Sequence, residues 1–89
     1  MITIWRFPIT DAENQIITMP KNAKILTVRV RGGQPCLWAL VDTEAKTGPR
    51  MIITVSTGYW CDHVVQRSYI GMYQEEREEG GSYVWHVFA

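Results

Sequence analysis

The sequence predicts an all-β domain, a small antiparallel sandwich or partly open barrel of about six to seven strands. Three observations predict it. Short runs rich in Ile, Val, Thr and aromatic residues recur along the 89-residue chain, separated by glycine, proline or charged turns. No segment of ten or more residues carries a helical period. The longest apolar stretch, Ala23 to Asp42, reads as two strands joined by Gly32-Gly33. That glycine pair suits a tight hairpin turn, whose two central residues need positive φ.

The hairpin sets the register of the centre. With Gly32-Gly33 as a two-residue loop, Arg31 lies opposite Gln34, Arg29 opposite Cys36 and Thr27 opposite Trp38, and opposed residues share a face. Leu26, Val28, Val30, Leu37, Ala39 and Val41 then form an apolar face, the predicted core. Thr27, Arg29, Arg31, Gln34, Cys36, Trp38 and Leu40 form a mixed face. On it Arg29 is diagonal to Trp38 and can stack over the indole, for about 0.5–2 kcal/mol depending on desolvation. The competing expectation packs Trp38 beneath a loop or second sheet, with the arginines reaching into solvent. A three-residue loop, GGQ, would exchange the two faces.

The remaining elements follow in order. Ile2 to Phe7 is a strand ended by Pro8, which cannot donate to a ladder. Thr10 to Asn14 is a polar turn, Gln15 to Met19 a second strand stopped by Pro20. After the hairpin, Thr43 to Pro49 is a polar loop closed by Gly48-Pro49, and Arg50 to Val55 is the next strand. Ser56 to Arg67 is irregular. Ser68 to Gln74 is a strand in which Gly71 marks a bulge or a close backbone approach. Glu75 to Gly81 is a charged turn, and Ser82 to Phe88 the last strand.

Length and composition bound the function. Residues 1–89 are one domain with a modest core. Nine basic and nine acidic residues cancel, so no whole-chain charge argues for nucleic acid or a membrane. So apolar a small chain, with four tryptophans, is expected to complete its burial as a homo-oligomer. The first residues lack a basic-then-apolar leader and no apolar run reaches the roughly 18 residues that span a bilayer. The expectation is a cytosolic chain with both thiols, Cys36 and Cys61, reduced.

The segments IWRF, MPKNAKILTVRVRGGQPCLWALVD, STG after RMIITV, SYIGMYQ and YVWHVF together resemble a family of short proteins of unassigned function encoded by tailed bacteriophages. The similarity spans nearly the whole chain. In that family the STG-type triplet is often followed by histidine; here Tyr59 follows. The resemblance implies a phage origin and action in the host cytoplasm, and it carries no active-site residue.

Four constellations carry candidate chemistry. Cys36, Cys61, His63 and His86 are zinc-ligand types, but Cys61-x-His63 is the only close pair, so separate thiols and imidazoles are the stronger expectation. Cys61-Asp62-His63 resembles a nucleophile with its base, yet adjacent residues on an extended chain point apart; a loop anchored by Trp60 is the alternative. Ser56-Thr57-Gly58 can form a nest of backbone donors for an anion, with Tyr59 and Trp60 beside it to stack on a base; the alternative is a plain turn whose aromatics cap the sheet. Glu75, Glu76, Glu78 and Glu79 suit a solvated hairpin tip better than a metal site.

Together these features predict a non-enzymatic binding protein with no cofactor, no metal and no membrane contact. The expected ligand is a small anion of nucleotide type, sequestered to counter host defence. Arg29 and Arg31 hold phosphate, Trp38 or Trp60 stacks, and Ser56, Thr57, Gly58 and Tyr59 complete the site. The alternative is a protein–protein inhibitor of a host complex or a phage assembly component, since Trp, Tyr and Arg dominate protein interfaces.

Overall fold

The computed structural model describes residues 1–89. Seven strands run β1 (Ile2–Pro8), β2 (Asn14–Pro20), β3 (Lys24–Arg31), β4 (Gln34–Asp42), β5 (Thr47–Ser56), β6 (Tyr69–Glu76) and β7 (Ser82–Phe88). They build two antiparallel sheets, β1-β4-β3 and β2-β5-β7-β6, stacked as a sandwich that does not close into a barrel. A single 3-10 turn, Asp62–Val64, interrupts the connection between β5 and β6. No helix is long and apolar enough to cross a membrane.

The central hairpin forms as the glycine pair dictates. Gly32 and Gly33 take φ of 59° and 81°, as a primed two-residue turn demands. Arg31 pairs with Gln34, Arg29 with Cys36 and Thr27 with Trp38. Two residues depart from the expected core face. The ladder slips between Ile25 and Thr27, so Leu26 is the extra residue of a bulge and turns outward, and Ile25 takes its place in the interior. Val30 keeps its face but lies near the hairpin's free end, where it lines a shallow cavity with Tyr73 and Glu76 and stays exposed.

The interior lies between the sheets. Val28 and Leu37 meet Ile52, Tyr73 and Val87, and Ile9 of the β1–β2 connection closes that cluster. A second cluster, Met19, Ala23, Ala39 and Val41, continues it toward the other end. Phe7, Ile17 and Ile25 belong to both. Tyr73 is the polar intruder: its hydroxyl is buried without a hydrogen-bond partner. Burial, with the negative charges of Asp11 and Glu75, pushes that phenol up to about 12.

β5 starts earlier than the polar loop before it suggested, at Thr47. Through Ile52 it pairs only with β2, and β7 joins from Ile53 onward. Pro49 therefore sits where β5 is an edge, the place a sheet tolerates proline. On the outer side of this sheet Ile53 and Val55 are covered by Val64 from the 3-10 turn. Val64, not Trp60, anchors this connection: Trp60 is 91% exposed. The physical reason is position, since the 3-10 turn delivers Val64 onto apolar strand residues while Trp60 precedes it over open solvent.

Candidate functional site

The outward face of the β1-β4-β3 sheet brings basic side chains from β1 and β3 onto the same face as one indole of β4. Trp38 sits half-buried on the central strand. β1 places Arg6 directly opposite it, and β3 places Thr27 on its other side. One row further, Pro8 and Arg29 flank Cys36. Arg31 follows opposite Gln34. Directly paired side chains of this kind stand roughly 5 Å apart at Cβ.

None of Arg6, Arg29 and Arg31 makes a salt bridge or a side-chain hydrogen bond. The three strands carry no carboxylate except Asp42, at the far end of β4, which pairs with the N-terminal amine at 3.5 Å. Arg6 and Arg31 converge on an open groove of about 370 Å³, whose lining includes Cys36, Gln34 and Gly32. The Gln34 amide donates to the carbonyls of Ile9 at 2.6 Å and Pro35 at 3.3 Å, so that wall is fixed. Arg29 does not stack on Trp38; the guanidinium that covers a ring is Arg77, 4.4 Å above Tyr83. Arg29 and Arg31 are exposed, their charged ends hydrated as long basic side chains prefer.

Ser56, Thr57, Gly58, Tyr59 and Trp60 lie on the other sheet, at the end of β5. Gly58 has φ of 91°, and the Tyr59 amide donates to the Ser56 carbonyl at 3.2 Å, closing a tight turn. The Thr57 amide donates to Val84. The Thr57 amide, one of those expected to form an anion nest, is thus engaged within the fold. The Thr57 hydroxyl is 2.6 Å from His86 Nε2, and the Tyr69 hydroxyl is 2.9 Å from Nδ1. Ser56, Tyr59 and Trp60 line a cavity with Asp11 and Glu13, which repels the phosphate they were expected to help hold. The structure therefore keeps Arg29, Arg31 and Trp38 together and separates them from residues 56–60. Tyr59 and Trp60 do not cap the sheet; they stand in solvent at the cavity mouth.

The other candidate groups are dispersed. Cys36 is buried on the first sheet and Cys61 half-exposed beside the 3-10 turn, both as free thiols. His63 Nε2 lies 3.8 Å from Glu13, while His86 is held by Thr57 and Tyr69. No three potential metal ligands converge. At the acidic hairpin Arg77 reaches Glu75 at 2.7 Å and Asp11 at 3.3 Å, tying the β6–β7 turn to the β1–β2 connection. The hydrogen bond it donates to the Glu75 carboxylate holds the guanidinium above its ordinary pKa.

Arg6 was not among the expected site residues. The alternation of Ile4, Arg6 and Pro8 with Trp5 and Phe7 shows that Arg6 leaves the core face, but not which strand it lies beside. No curated protein and no solved structure matches the chain. A family model matches it from end to end, residues 1–89, and the chain belongs to that family, described as a domain of unknown function (DUF7352).

Proposed function

We propose that this chain is a non-enzymatic binding protein whose outward β1-β4-β3 face takes a small anion of nucleotide type. One observation carries the proposal: three unpaired arginines from β1 and β3 share one sheet face with a half-buried indole, and no carboxylate lies near them. Guanidinium groups meet phosphate oxygens with paired N–H donors, and an indole offers a stacking surface for a base. The setting we propose for this binding is a phage accessory protein that counters host defence in the cytoplasm of the infected cell. That part rests on the resemblance described above.

The test is a thermal-shift panel of cyclic and linear nucleotides on the wild-type chain and Trp38→Ala. Binding to the folded state alone raises the melting temperature. A rise for at least one nucleotide, lost in Trp38→Ala, is the expected result; a flat panel overturns the proposal.

A second reading has its own support. Ile4 and Leu40, paired across β1 and β4 on this same face, are both exposed, and Ile2 continues the row. Apolar residues beside Trp and Arg are the composition of a protein contact, either with a host protein or with another copy in a homo-oligomer. A stoichiometric partner retained in native mass spectrometry from infected cells, with no nucleotide, favours this reading.

A further inference from the structure

The cavity at the end of the second sheet has the opposite chemistry to the arginine face. It has a volume of about 230 Å³, the liquid volume of roughly eight waters. Asp11 and Glu13 enter from the β1–β2 connection, Tyr59 and Trp60 from the turn after β5, and Trp85 from β7. No lysine or arginine lines it. Glu13 has only His63 nearby, at 3.8 Å.

Two polar groups of the lining lack partners. Thr54 is 2% exposed, and its hydroxyl makes no hydrogen bond; the Trp85 indole N–H is likewise buried and unpaired. Such groups are rare in folded proteins because each forfeits its water without replacement. Neither atom touches the cavity's open space, so the rings and carboxylates of the lining decide what it can hold.

Tyr59 and Trp60 show what that is. They are 75% and 91% exposed at the mouth of the cavity, where large aromatic rings gain nothing from the fold itself. Ring faces attract cations, most strongly organic ones that shed water easily. The same wall already holds one cation, since Arg77 stands 4.4 Å over the Tyr83 ring while it reaches Asp11.

We infer that this cavity is a second binding site, for a small organic ammonium ion. The ammonium group lies between the Trp60 and Tyr59 rings and the carboxylate of Glu13. The site shares no residue with the arginine face, so either stands if the other falls.

The test follows the indole N–H signals of the wild-type chain by NMR during titration with choline and ethanolamine. The neutral carbon isostere of choline, 3,3-dimethylbutan-1-ol, is the control. Choline or ethanolamine moves the Trp60 and Trp85 signals saturably, and the isostere leaves them in place. Trp60→Ala and Glu13→Gln each weaken the response of the remaining signals by roughly tenfold, as loss of one cation–π or charge contact implies. Both positions are exposed, so these variants keep the fold, and Trp38→Ala leaves the titration unchanged. The inference is overturned if neither cation moves these signals, or if the isostere moves them equally.

Discussion

Gly71 of β6 faces Val28 of β3 so closely that a Cβ on the glycine would lie 3.2 Å from Val28 Cγ1. The ladder between β6 and β7 slips at this point, with Ile70 as the extra residue, and Gly71 takes φ of 156°. Bulge and close approach are the same event: the glycine lets β6 come down onto the hairpin.

Gly71→Ala should therefore destabilise the chain by about 1–3 kcal/mol, the range for overpacking a filled interior. Val28→Ala in the same chain should return part of that loss, because contacting residues are not additive. Urea unfolding of both single variants and the double variant measures the coupling. Strict additivity would show that this contact does not limit how the sheets approach.

Tyr73 predicts an alkaline limb. Its phenol titrates at about 12 in the fold and near 10 in the unfolded chain, so between those values the folded state binds more protons. Stability is then full below pH 10 and falls as the pH rises toward 12, by roughly 2–3 kcal/mol in total. Tyr73→Phe should lose this limb and remain at least as stable at neutral pH, because the hydroxyl it removes has no partner. Urea midpoints at pH 8, 10 and 11.5 compare the two chains; an unchanged limb in Tyr73→Phe would assign it elsewhere.

Local chemistry made the centre legible, and long-range pairing hid the rest. Two adjacent glycines admit one turn, and that turn fixed which face Trp38, Arg29 and Arg31 share. The same alternation broke at Leu26, because a bulge changes parity without a glycine or proline to announce it. Arg6 reaches Trp38 only through the pairing of β1 with β4, more than thirty positions apart in sequence, which no local pattern encodes. Residues 56–60 looked like an anion site because hydroxyls and amides are visible in sequence. Their engagement by Val84 and His86, and the carboxylates of Asp11 and Glu13 across the cavity, are visible only in the fold.

The two thiols should separate kinetically. Cys36 is 3% exposed, beneath the groove that Arg6 and Arg31 line, whereas Cys61 is half-exposed at the 3-10 turn. A disulfide reagent such as Ellman's should modify one thiol quickly in the native chain and the second only as the chain opens. Cys61→Ser should abolish the fast phase and keep the slow one. Two fast thiols would mean that the groove floor is open to solvent.

Arg6 gives the sharpest test of the arginine face, because nothing local in the sequence places it there. If Arg6, Arg29 and Arg31 act together on one phosphate-bearing ligand, Arg6→Ala should weaken the nucleotide found in the thermal-shift panel by about five- to tenfold, the scale of one charge-assisted hydrogen bond in a partly solvated groove. Arg29→Ala should do the same. Arg50→Ala makes a fitting control: that side chain donates to the Ala23 carbonyl at 2.9 Å from the other sheet, so its loss touches stability and not affinity. Titration at two salt concentrations adds a second readout, since exposed charge pairs weaken as the screening length shortens. Wild type should lose more affinity to salt than Arg6→Ala. Equal salt dependence in both chains, with unchanged affinity in Arg6→Ala, would remove Arg6 from the site and leave the hairpin arginines to hold the anion alone.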